Sequence, residues 1–168
     1  RRTFWNRNAE NKNFDGPQGW NWFEEEWPYL VRRQNPENGY ESIVLKSGLF
    51  PVFFDRREGR YTARYAASRR HFLKHDAGRG LFVYTFLLDD SSETIEFWDF
   101  DQPVDRIGMM HRRIDPQGHI ITATGYDAMT ITALETIRGT SSYRMIYNRN
   151  SSTGRFDEIH IEKETPGS

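Results

Sequence analysis

The residues in this sequence best suited to chemistry are five histidines and the acids near them. The histidines are His71, His75, His111, His119 and His160. An imidazole beside a carboxylate can take or give a proton near neutral pH, or bind a metal. On an extended chain, side chains alternate between two faces. His71 and His75 then share a face, with Leu73 between them. His111 falls with Ile107, Met109 and Arg113, His119 with Ile121 and Ala123, and His160 with Phe156, Glu158 and Glu162. Glu96, Asp99 and Asp101 cluster around Trp98 and Phe100. An acid–base enzyme built on this chain would draw its group from His71, His111 or Glu96. The strongest metal-like spacing, His71-x3-His75, suits a helix and not a strand, so no metal site and no cofactor are expected.

Composition removes many alternatives. The 168 residues include no cysteine, which excludes disulfides, zinc–thiolate sites and cysteine nucleophiles. A net charge of −1 does not suit a nucleic-acid backbone binder, and none is expected as partner. No apolar run reaches the roughly 20 residues of a membrane-spanning helix. Phosphate loops, the Gly-x-Ser-x-Gly elbow and dinucleotide fingerprints are absent from the sequence. Nothing in the sequence specifies a compartment.

The aromatic fraction is 15%, against a mean hydropathy of −0.82. A core made of a few large rings follows. Several of those rings alternate as a ligand wall would. Tyr61 and Tyr65 oppose Arg60 and Arg64; Phe82, Tyr84 and Phe86 share a face; Trp98 lies across from Phe97. Met109, Tyr143 and Tyr147 complete the candidate wall. Arg60 and Arg64, if turned inward, would capture an anionic head group by bidentate pairing.

The elements that must position these residues are mostly strands. Trp20 to Arg33 carries apolar residues at helical spacing and predicts a helix. Pro28 interrupts it, and a short helix followed by a strand from Tyr29 to Arg33 is the alternative. Residues 1–19 read as an irregular arm. From Tyr40 onward the period is two, and turn signals separate strands near 40–46, 49–54, 59–66, 69–75, 80–88, 93–100, 105–114, 119–124, 127–138, 141–148 and 155–164. Residues 1–168 read as one domain. A mainly β fold follows: an antiparallel up-and-down β-barrel of about ten strands over 40–164, with the N-terminal arm and short helix plugging one end. A two-sheet sandwich is the next architecture. A helix-backed cone needs more helix than the chain supplies.

The strand count and order over 40–164 resemble the calycin superfamily, which includes lipocalins and fatty-acid-binding proteins. Asn13-Phe14-Asp15 followed by Gly19-Trp20-Asn21-Trp22 is similar to the opening motif of lipocalins. The Arg-x-Tyr of fatty-acid-binding proteins is missing; Arg144 and Tyr147 stand three apart. The resemblance implies a calycin-like barrel that binds a hydrophobic or aromatic small molecule, with a carboxylate as the group the arginines would hold. An isomerase, cyclase or chromophore lyase on the same scaffold is the second expectation. The third is an interaction subunit whose N-terminal arm meets a protein partner.

Overall fold

The computed structural model describes residues 2–4, 15–16, 19–20, 22–24, 27–35, 37–47, 51–65, 68–127, 130–138, 141–149 and 156–164. Most of this is strand: β1 Arg2–Phe4, β2 Asp15–Gly16, β3 Gly19–Trp20, β4 Trp22–Glu24, β5 Tyr29–Gln34, β6 Glu41–Lys46, β7 Val52–Arg57, β8 Arg60–Ala63, β9 His71–Asp76, β10 Leu81–Leu87, β11 Ser92–Trp98, β12 Met110–Ile114, β13 Ile120–Asp127, β14 Thr130–Arg138, β15 Ser141–Arg149 and β16 Phe156–Glu164. β5 to β16 form one antiparallel sheet of 12 strands in sequence order, and β1 pairs with β4 and β2 with β3 in separate small ladders.

Two expectations are corrected. The helix over 20–33 is replaced, in its described part, by β3, β4 and β5. Pro28 has no N–H to donate, and the Tyr29-Leu30-Val31 run that follows it pairs with Val44, Leu45 and Lys46 of β6. The strand near 105–114 begins only at Met110; residues 104–108 are a turn in which Gly108 has φ +67°. The arm over 1–19 contains two short strands and the first residue of a third, and Asn13, Phe14 and Asn21 of the lipocalin-like motif lie outside the described residues.

The hydrogen-bonded order is open, with β5 and β16 at its ends, and not the closed ring of about ten strands that the alternation suggested. The sheet nevertheless curls. Neighbouring strands lie about 4.8 Å apart, so β7 and β10 would be roughly 14 Å apart on a flat sheet. The Phe54 and Tyr84 rings on those strands are 6.4 Å apart. The eight strands β5 to β12 curl far enough for Tyr29 to form an antiparallel bridge with Met109, and Leu30 N donates to Gly108 O at 2.8 Å. Eight strands already bring the chain round to its start, so β13 to β16 continue the sheet beyond that meeting point. The last of them leaves Ile159 and Ile161 exposed.

The core lies on the concave face. Leu30, Ile43, Leu45, Phe54, Leu73, Phe82, Tyr84, Ile95, Phe97 and Met110 pack there with Trp27, whose ring meets Tyr147 edge-on at 4.6 Å. Phe54 is fully buried at the centre. Truncating it to alanine is expected to cost about 3–5 kcal/mol in a urea titration, in line with large-to-small core changes.

Candidate functional site

The functional candidates divide between the two faces of the sheet. Tyr61, His71, Phe82, Tyr84 and Phe86 occupy the concave face, joined by the registers Tyr61 to Leu73, Leu73 to Tyr84, Phe82 to His75 and Phe86 to His71. Glu96 and His111 lie on the opposite face, so the three acid–base candidates are not brought together. His71 stacks on Phe86 at 4.7 Å, and its Nδ1 lies 2.7 Å from the Tyr84 hydroxyl. Burial pushes the His71 imidazole below its ordinary value and the Tyr84 phenol above its own.

On the outer face the Glu96 carboxylate is taken up by two guanidinium groups. Arg79 donates through Nη1 and Nη2 at 3.1 and 3.0 Å, and Arg112 through Nη2 at 3.1 Å. A bulge produces this arrangement. Glu96 pairs with Arg112 and Phe97 with Met110, so His111 is the extra residue between them. The bulge breaks the alternation that had grouped His111 with Met109 and Arg113. Met110 enters the core and Arg113 pairs across from Ile95. His111 lies 4.4 Å from Trp98, and burial lowers its pKa against the opposing pull of Glu96.

The remaining candidates scatter. Arg64 turns to a buried polar cluster, where Nη2 meets Asp55 Oδ1 at 2.7 Å and also donates to Ser42. Tyr65 follows the end of β8, exposed and edge-on to Phe53. Arg60 is exposed. Trp98 donates from Nε1 to the Tyr126 hydroxyl. Met109 forms the bridge to Tyr29, Tyr147 is in the core, and Tyr143 lies beneath the Lys163 ammonium at 5.8 Å. His119 pairs with Asp115 across an exposed turn. Among the described residues no cluster of His, Asp and Glu is placed to hold a metal ion, and no helix is long and apolar enough to cross a membrane.

One group of side chains converges on the concave face at the rim nearest the β11–β12 loop. Phe82 is its buried floor. Tyr61 meets that ring at 5.5 Å, Phe100 at 5.6 Å, and the His75 imidazole stacks on it at 4.5 Å. The Arg32 guanidinium lies 4.6 Å over Phe100. Arg56 lies 6.0 Å over Tyr61 and 3.7 Å from Glu41, which accepts a hydrogen bond from the Tyr61 hydroxyl. Burial and the Glu41 charge keep the Tyr61 phenol protonated, well above its ordinary value. Arg32 has an ion-pair partner nowhere among the described residues. Its charge is available to an anion that settles on the rings.

The loop that carries Phe100 is fixed at both ends. Asp99 N donates to Gly80 O, Gly108 N to Trp98 O and Met109 N to Arg106 O. Asp99 is buried, and His75 is its side-chain partner from β9, with Nε2 to Oδ2 at 3.3 Å. Burial raises the Asp99 pKa, but hydrogen bonds from His75, the Asp101 amide and Gln102 outweigh it and hold the carboxyl below its ordinary value.

Sequence reasoning named Tyr61 and Phe82 among its candidates but did not group them with Arg32, Glu41, Arg56, His75, Asp99 and Phe100, which the fold brings beside them. Alternation forward from Phe54 and from Leu30 would have put Arg56 and Arg32 on the core face. Nothing local to residues 99–100 signals that this loop folds over β9 and β10. Comparison with family models, curated proteins and solved structures returns no match for this chain.

Proposed function

We propose that this chain binds a small aromatic or apolar molecule bearing a carboxylate or similar anionic group. The ligand lies on the concave rim against Tyr61 and Phe100, over Phe82, and Arg32 receives its anion. In this reading the curl of β5 to β12 serves as a barrel-like wall, as the calycin resemblance implies. The interior beneath the rim is filled by Phe54, Tyr84 and Phe97, so the ligand sits at the mouth and not at the centre.

The observation that carries the reading is the Arg32 guanidinium stacked on Phe100 without a carboxylate partner among the described residues. A cation over a ring gains about 0.5–1 kcal/mol at an exposed site, and charge-assisted bonding to an anion adds about 1.5–3 kcal/mol. Ring surface supplies the apolar part. The test uses a fluorescent aromatic anion, anilinonaphthalene sulfonate, beside the neutral phenylnaphthylamine. The anion is expected to bind saturably. Arg32→Ala is expected to weaken it about tenfold and to change the neutral molecule little, whereas Tyr61→Ala weakens both. Absence of saturable binding, or equal loss of both molecules in Arg32→Ala, overturns the reading.

A further inference from the structure

We propose that the rim is also catalytic, with His75 as a general base acting on an aryl-substituted 2-oxo acid and Asp99 as its positioning residue. The proposal rests on the binding reading above and adds chemistry to it. Three features of the geometry lead to it. First, the His75 side chain is one-third exposed, while its Asp99 partner is only 8% exposed. This is a buried carboxylate behind an accessible imidazole. Second, Asp99 approaches Nε2. A carboxylate accepting from Nε2–H fixes that tautomer and leaves the lone pair on Nδ1. Third, the imidazole stacks on Phe82, the ring that Tyr61 and Phe100 also contact. A ligand resting on those rings is therefore next to the base.

Asp99 divides its carboxylate between two sets of partners, with His75 at Oδ2. Its Oδ1 accepts from the Asp101 amide at 3.1 Å and from Gln102 Nε2 at 3.3 Å, which already closes the loop. The histidine is an additional partner reaching across from β9.

The substrate class follows from what the rim can hold. Arg32 takes a carboxylate and Phe100 and Tyr61 take an aromatic ring. The carbon between them must carry the proton to be moved. An aryl-substituted 2-oxo acid places an acidic C–H there, beside a ketone. His75 Nδ1 takes that proton, and the C–H electron pair becomes the new carbon–carbon π bond as the carbonyl pair moves to oxygen. The imidazolium then returns the proton to that oxygen. The product is the enol, atoms and electrons balance, and no co-reactant is consumed.

The test follows phenylpyruvate in deuterium oxide by proton NMR, with the full 168-residue chain. Wild type is expected to speed loss of the benzylic proton signal above the buffer rate. General-base contributions are about 10²–10⁴-fold, so His75→Asn is expected to reduce the protein-dependent rate by at least tenfold, and added imidazole to restore part of it. Asp99→Asn is expected to lower kcat for exchange with little change in KM, a split that loop damage does not produce. If Asp99→Asn does not fold, the His75→Asn and imidazole measurements decide. Exchange at the buffer rate in a wild type that still binds anilinonaphthalene sulfonate overturns the catalytic proposal and leaves the binding reading standing. Exchange unaffected by His75→Asn also overturns it. Failure of the sulfonate to bind overturns the binding reading itself.

Discussion

Gly108→Ala is expected to destabilise the protein by about 3–5 kcal/mol, the range of severe single changes with a named mechanism. Two costs add. Gly108 has φ +67°, a conformation that costs an L-residue roughly 1–2 kcal/mol. A Cβ there would also lie inside the van der Waals envelope of the Leu30 carbonyl oxygen, 3.2 Å from its carbonyl carbon and 3.4 Å from Phe100 Cε1. That carbonyl is backbone and cannot rotate aside. Leu30 N is bonded to Gly108 O, so any retreat breaks the contact that closes the curl. Gly118 provides the control. It has φ +82° with nothing within 4 Å of the Cβ position, so Gly118→Ala carries the backbone cost alone. Urea titrations of both variants check this. Equal losses would mean that the meeting of β5 with the β12 entrance contributes little. Because Phe100 borders Gly108, the alanine variant is also expected to lose sulfonate binding before it unfolds globally.

The second large effect concerns Asp55. Its carboxylate is buried among Arg64, Ser42 and Asn35, with Ser42 Oγ donating at 2.8 Å and Asn35 Nδ2 at 3.2 Å. Hydrogen bonding from Arg64 is the main cause holding its pKa below the ordinary aspartate value, and it outweighs desolvation. Asp55→Asn leaves the Arg64 guanidinium, itself 18% exposed, without its counter-charge. Removing one partner of a buried pair costs about 3–5 kcal/mol, here a loss of order 10 °C in Tm at pH 7. The pH dependence has a fixed sign. A depressed folded-state pKa stabilises fully above the unfolded value of about 3.9 and ceases to do so as pH falls through the folded value. The gap in Tm between wild type and Asp55→Asn is therefore expected to narrow below pH 4. A gap that stays constant from pH 7 to pH 3 would show that the charge of Asp55 is not what stabilises this corner.

Asp55 also illustrates what could be read in advance. Alternation along β7 puts Phe54 on the core face and Asp55 on the other, and the sequence makes that plain. That Asp55 would be buried there needs Arg64, nine positions later and past the end of β8, to swing back over it. Tyr65 and Arg64 were expected to continue the strand alternation. The chain leaves the sheet after Ala63, so the arginine becomes part-buried and the tyrosine exposed. The same loss of alternation occurs at His111, where one inserted residue sends Arg112 to Glu96 and Arg113 to the core face.

By itself the sequence determined that this chain is a run of short antiparallel strands with ring-rich faces. Those properties depend on side-chain period and turn residues, which act over two to eight positions. Tertiary structure alone decided that eight strands bring Tyr29 to Met109, that the 99–102 loop delivers Asp99 to His75, and that Arg32 comes to rest on Phe100. These pairs are 24 to 80 residues apart, and the curl and stagger that join them are set by the sum of many strand-to-strand registers and not by any local pattern.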